Sequence, residues 1–282
     1  MKSISILGCG WLGLPLGKHF SDKGYSVKGS TTNEEKLPIL TENGIEAFRI
    51  QLNPQVVGEN VDNFLNSETL LINIPPRISL QKMDAHVEQI SNLITHIKTS
   101  SIKNIIYISS TSVYPELNRD VFEEDVITPE QSASPTMVKA EKLLLALWKE
   151  SSVNLTILRC GGLMGYDRIP AKYFSGWKGL TTGDIQVNYV HRDDVIKVIE
   201  TIIEKNIWNE TFNIVSPIHP TRKEIYAKNC EELGFEMPEF VAPTEPQLFK
   251  IISSKKWLER SKYEFIYENP LDYYYKRPNL LN

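Results

Sequence analysis

Close to the start of the chain an apolar run, Ile4-Ser5-Ile6-Leu7, meets Gly8-Cys9-Gly10-Trp11-Leu12-Gly13 and reopens as the helical signal of Leu14-Pro15-Leu16. A strand that breaks at glycine and restarts as a helix demands a tight turn at the edge of a sheet. Gly8 permits that turn, Gly10 lets the backbone approach a pyrophosphate, and Gly13 lets the helix pack closely on the strand. An anion held there needs no basic side chain, because the unpaired amides of a helix N-terminus carry roughly half a positive charge. Gly8, Gly10, Trp11, Leu12 and Gly13 are therefore dinucleotide-binding candidates, the alternative being an ordinary glycine turn in an α/β sheet.

Composition narrows the class of protein. With 282 residues and 41% hydrophobic content, the chain can bury a full core. Its net charge of -4 comes from 31 basic and 35 acidic residues mixed along the sequence, which argues against a nucleic-acid or membrane-surface partner. No run approaches the roughly eighteen apolar residues of a membrane span, and no charged leader precedes the first strand, so a cytoplasmic protein is expected. Cys9, Cys160 and Cys230 lack both CxxC and metal-ligand spacing and read as reduced thiols. Cys9 reads as a small filler within the glycine loop rather than as a reactive group.

Residues 25–29 read as the second strand, and its tip decides cofactor choice. An NAD site places a carboxylate there for the ribose hydroxyls, whereas Ser30, Thr31, Thr32 and Asn33 stand here. Small hydroxyl residues with Lys28 and Lys36 nearby favour a 2'-phosphate, so NADP is expected ahead of NAD. The same residues also suit a turn and helix cap before Glu34. Residues 45–50 and 69–74 read as further strands, the latter running into Pro75-Pro76-Arg77, where the chain must turn. Asn73, Pro75 and Arg77 then lie at the carboxyl edge of the sheet, where open α/β folds bind ligands. Helical spacing over 83–99 predicts a crossover helix, and the apolar 104–108 a central strand covered on both faces.

That strand runs into Ser109-Ser110-Thr111-Ser112-Val113-Tyr114. With the glycine motif and the strand-helix alternation, this stretch resembles the extended branch of the short-chain dehydrogenase/reductase superfamily, the group of NAD-dependent nucleotide-sugar epimerases and dehydratases. Leu158-Arg159-Cys160-Gly161-Gly162-Leu163-Met164-Gly165 is similar to the family's segment at the substrate cleft. Val187-Asn188-Tyr189-Val190-His191-Arg192-Asp193-Asp194-Val195 and Thr211-Phe212-Asn213-Ile214-Val215 resemble its later segments. The likeness covers about 1–215 well. It implies a Ser or Thr bonding the substrate oxygen, a Tyr transferring the proton, and a Lys four residues on that lowers the tyrosine pKa and holds the nicotinamide ribose. The Ser falls on Ser110 and the Lys on Lys139. The Tyr position is Pro135, which cannot transfer a proton.

Spacing of four puts two side chains on one helix face, and Pro135 suits a first helical turn, so this register is self-consistent. No tyrosine lies between Tyr114 and Tyr166 to rescue it by slippage. Tyr166 is the replacement carried forward as a catalytic candidate beside Ser110 and Lys139, with Asp167, Tyr114 and Tyr189 as others. His191 with Asp193 and Asp194 lacks a second histidine and reads as a helix start capped by an aspartate ahead of Val195-Ile196, so no metal is expected.

The expected fold is a doubly wound parallel sheet, a Rossmann fold, with a smaller C-terminal substrate lobe. The dinucleotide domain is drawn at 1–165 with 187–215 returning to the sheet, and the substrate portion at 166–282. A helix is suggested over Arg222–Leu233, and the aromatic tail is expected to pack the lobe onto the core. The expected function is an NAD(P)-binding oxidoreductase or epimerase/dehydratase-like enzyme for a sugar-like or small carbonyl substrate, with a homodimer as candidate assembly. Pro135 keeps open a catalytically silent NAD(P)-binding sensor. A hydroxyacid dehydrogenase is disfavoured, because the proline-broken tail cannot supply its helical second domain.

Overall fold

The computed structural model describes residues 2–75 and 84–277. In chain order the first half comprises β1 (Ser3–Leu7), α1 (Gly13–Asp22), β2 (Ser26–Thr31), α2 (Leu37–Glu42), β3 (Glu46–Asn53), β4 (Gln55–Gly58), α3 (Val61–Phe64), β5 (Thr69–Ile72), α4 (Ala85–Ile97) and β6 (Asn104–Ser110). Then follow β7 (Asp120–Val121), α5 (Pro135–Glu150), β8 (Asn154–Cys160), β9 (Gly162–Met164), β10 (Tyr189–His191), α6 (Arg192–Lys205), β11 (Thr211–Ile214), α7 (Arg222–Leu233), β12 (Ile251–Ile252) and α8 (Lys255–Ser261). The main sheet has eight strands in the order β11-β8-β6-β5-β1-β2-β3-β4. Every pairing in it is parallel except β3 with β4. The third strand runs past residue 50 to Asn53, and Pro54 turns it into β4, an edge where a missing amide is tolerated.

The strands are apolar on both faces, and their two-residue period sorts side chains between two layers. Ile4, Ile6 and Leu71 point to one face, covered by Leu16 and Phe20 of α1, Val195, Ile199 and Ile202 of α6, and Trp257 of α8. Leu7, Leu70, Ile72 and Tyr107 point to the other, under Ile90, Leu93 and Ile97 of α4 and Ala140, Leu144 and Leu147 of α5. Each fully buried aliphatic side chain contributes roughly 1.5–3 kcal/mol relative to exposure. The fold is thus a doubly wound α/β sheet.

Beyond residue 215 the prolines cut the chain into short pieces. α7 forms because Thr221 and Glu224 close a capping box: the Thr221 Oγ1 accepts the Glu224 amide at 3.3 Å, and the Glu224 carboxylate accepts the Thr221 amide at 2.7 Å. Gly234, at φ +79°, ends it. Ile225 and Tyr226 of α7 pack with Ala171 and Val187 in a separate small core. The tail ties back to the sheet: Trp257 and Phe265 join the α1/α6 face, and Tyr273 and Tyr275 pack on Ile169. Pro76 and Arg77, and Met83 at the expected start of the crossover helix, lie outside the described residues.

Candidate dinucleotide and catalytic site

β1 has β2 on one side and β5 on the other, so the strand order reverses about it. The crevice opens above its carboxyl end. Gly8 stands there at φ +105°, and a Cβ on it would come within 2.4 Å of the Asn73 carbonyl oxygen. A Cβ on Gly13 would lie 2.3 Å from the Gly8 oxygen, whereas one on Gly10 would meet nothing within 4 Å. Two glycines are therefore required by the protein's own packing, and the third leaves open space. The loop is strapped from both sides. Asn73 Nδ2 donates to the Gly8 carbonyl at 2.9 Å, and the Gly8 and Cys9 amides donate to the Ser30 hydroxyl and carbonyl at 3.1 and 2.7 Å. Among the described residues no acceptor takes the amides of Gly10, Trp11 or Leu12. A cradle with free amides and no steric cap fits a dinucleotide pyrophosphate. Burial pushes the Cys9 thiol up to about 12, so it is an inert filler.

Of the residues at the second strand's tip, Ser30 is buried and spent on the glycine loop, and Thr31 is buried with its hydroxyl accepting the Asn33 amide at 3.2 Å. Thr32 is exposed. Lys28, expected near the cofactor phosphate, is corrected: it is buried and donates to the Asn63 and Asn66 carbonyls at 2.5 and 3.0 Å. A buried ammonium must be fully paired, and those carbonyls pair it. Pro75 is exposed just beyond β5, and Asn73 serves the loop as described.

On the other side of the crevice, β6 delivers the serine run. Ser109 turns inward and donates to Glu141 of α5 at 2.5 Å, and Glu141 in turn holds Arg159 at 2.7 and 3.1 Å. Ser110, the next residue, turns the opposite way, half-buried, its Oγ accepting the Ser112 amide at 3.1 Å and its own proton free to donate. α5 opens on Pro135, fastened to the run by Ser132 and Ser134, which donate to the Val113 and Ser112 carbonyls at 2.7 and 3.0 Å. Pro135 and Lys139 are both exposed, one turn apart, and Lys139 Nζ reaches Asp84 at 3.1 Å.

The remaining acid candidates lie elsewhere. Tyr114 is fully buried between Arg159 and Asn213, and burial raises its pKa. Burial likewise raises that of Tyr189. Tyr166, at φ +56°, donates to Asp193 at 2.8 Å beneath the Arg192 guanidinium, and burial with that bond raises its pKa. Asp167 accepts the Trp11 indole N–H at 2.7 Å, which holds its carboxyl below the usual range. None of these bonds leads to Ser110 or Lys139.

The match to the NAD dependent epimerase/dehydratase family covers residues 78–214. Protein YeeZ of Escherichia coli K12 is 30% identical over 273 residues, 96% of this chain and 98% of its own. The chain belongs to this epimerase/dehydratase family. Solved structures of like fold include the UDP-N-acetylglucosamine 4-epimerase of Bacillus cereus, with TM-score 0.78 and 17% identity over 96% of this chain and 97% of that one. A second is a UDP-glucuronic acid 4-epimerase variant of Bacillus cereus, solved with a fluorinated UDP-glucuronic acid and NAD, with TM-score 0.77 and 17% identity over 96% of both chains.

Several features of this epimerase/dehydratase chain were hidden in its sequence. Trp11 carries two cation–π contacts, the guanidinium carbons of Arg168 and Arg192 lying 4.2 and 5.0 Å from its ring centroid. Pro15 supplies no amide for the Trp11 carbonyl one turn back, and Arg192 Nη1 stands 3.5 Å from that oxygen instead. His191 caps α6, its Nδ1 accepting the Asp193 amide at 3.2 Å while its Nε2 faces the Tyr274 carbonyl at 3.4 Å, which sets the tautomer. Among the described residues no His/Cys/Asp/Glu group suits a metal, and no helix is long and apolar enough to cross a membrane. A cavity of about 190 Å³, lined by Glu116, Gln186, Val187, Tyr189, Arg222 and Lys250, lies between the serine-run segment and the C-terminal lobe. Arg222 opens a helix that the sequence suggests and Lys250 lies beyond it, but no local pattern marks the two as lining one cavity.

Proposed function

We propose that the protein binds a nicotinamide dinucleotide on its glycine loop, NADP ahead of NAD, and acts on a sugar-like or small carbonyl substrate in oxidoreductase or epimerase-like chemistry. The open space at Gly10, together with the Gly10, Trp11 and Leu12 amides that take no acceptor among the described residues, carries the reading. When bound, the nicotinamide supplies or accepts the hydride. Ser110, with its proton free, bonds the substrate oxygen. Lys139 leaves its exposed partner Asp84, a pair worth at most about 1 kcal/mol, to hold the ribose hydroxyls. Arg222 gives the cavity a cation for an anionic substrate, while Lys250 there is paired with Glu116 at 3.1 Å. The epimerases of like fold act on UDP-sugars, which is the ground for a sugar-like substrate.

Pro135 favours a second reading, a dinucleotide-binding sensor without turnover, because the position one turn before Lys139 carries no titratable side chain. Titration with NADPH and NADH by nicotinamide fluorescence tests the shared step. Binding is expected in the wild type and abolished by Gly10→Glu, which sets bulk and negative charge against the pyrophosphate; undiminished binding in that variant would overturn the loop assignment. A carbonyl and nucleotide-sugar screen, read by nicotinamide absorbance for net redox turnover and by product separation for redox-neutral epimerisation, then separates enzyme from sensor.

A further inference from the structure

The tip of β2 is where a dinucleotide site distinguishes a ribose 2'-hydroxyl from a 2'-phosphate. Here the last residue of that strand, Thr31, pairs in register with Arg49 of β3. Neighbouring parallel strands lie about 4.8 Å apart, so Arg49 stands one strand spacing from the discriminating position. The other polar groups at the end of β2 are buried and offer a phosphate no free cation: Lys28 donates to carbonyls, and the Ser30 and Thr31 hydroxyls accept the Gly8 and Asn33 amides. Arg49 is not buried. Its Nη1 meets the Glu34 carboxylate at 3.0 Å, with the two side chains 52% and 74% exposed.

We propose that Arg49 is the residue that selects a 2'-phosphorylated dinucleotide, and that Glu34 is its competitor for the same guanidinium. This rests on the glycine loop being a dinucleotide site. A solvent-exposed ion pair is weakly held and screened by salt, so it is readily exchanged. A phosphate dianion offers the planar guanidinium two charge-assisted bonds where Glu34 makes one. A ribose with a free 2'-hydroxyl offers no charge, and the Arg49–Glu34 pair then stays closed. Glu34 also repels the phosphate until it swings away, so it lowers NADP affinity while costing NAD little.

The test is titration of the full chain with NADPH and NADH, in wild type, Arg49→Leu, Arg49→Lys and Glu34→Gln, with melting temperatures recorded to establish that these exposed substitutions leave the fold intact. Arg49→Leu is expected to weaken NADPH about tenfold or more and to leave NADH within about twofold, with Arg49→Lys between the two. Glu34→Gln is expected to tighten NADPH, and added salt to weaken NADPH more than NADH. Equal loss for both cofactors in Arg49→Leu, no loss for either, or weaker NADPH binding in Glu34→Gln would overturn the assignment. Wild-type binding of NADH alone would overturn the NADP preference and leave the loop reading standing, whereas binding of neither would remove the loop reading itself.

Discussion

The family resemblance puts its proton-moving tyrosine at the position where Pro135 stands, and the helix that opens there accepts a proline. Proline costs a helix interior about 3 kcal/mol but almost nothing at the first position, where its amide would have no partner. The residue is therefore explained structurally without reference to chemistry, and its chemical cost falls on the site alone. Pro135→Tyr places a phenol one turn from Lys139, with the serine run fastened alongside by Ser132 and Ser134. Under the proposed roles this variant should gain reductase activity on carbonyl substrates relative to wild type, read by loss of nicotinamide absorbance. No gain on any of them would count against Ser110 and Lys139 as a catalytic pair. Pro135 was legible from the sequence because its argument is local, a spacing of four on one helix.

At the scale of the element, α6 begins on a histidine used as an acceptor. A neutral His191 ring caps the helix; a protonated one cannot accept the Asp193 amide. Burial among Tyr166, Tyr267 and Tyr273 lowers the His191 pKa from its ordinary 6.5. The unfolded chain thus binds this proton more readily than the folded one. The contribution to stability is present above pH 6.5 and is lost as pH falls through the lowered folded-state value. Asp194 works the other way, because burial raises its carboxyl to about 6 and its protonation is favoured in the fold. His191→Asn keeps a capping acceptor but removes the titration. It should lower overall stability by about 1–2 kcal/mol through lost packing, while flattening the acid limb below pH 6.5 in denaturant unfolding. A pair of carboxylates beside a histidine suggested a helix start in the sequence, but the cap itself is His191, since the aspartates lie inside the first turn.

For the whole molecule, a buried polar network ties β6, α5, β8 and β11 together. Arg159 is 4% exposed and bonds Glu141, Tyr114 and the Glu123 and Val126 carbonyls, while Glu141 also accepts from Ser109. Removing one member leaves an uncompensated charge in the core, so Arg159→Met should cost about 3–5 kcal/mol, measured by urea unfolding. An unchanged midpoint would contradict the network. The sequence by itself determined the glycine turn, the strand-helix alternation and the α5 register, because each follows from residues a few positions apart acting through backbone geometry. Only the tertiary structure decided that Lys28 is buried, that Ser30 serves the glycine loop, that Trp11 meets Asp167 across 156 residues, and that Arg49 stands beside Thr31. Those outcomes depend on strand register and on which layer each side chain enters, and a shift of one residue in a strand reverses both.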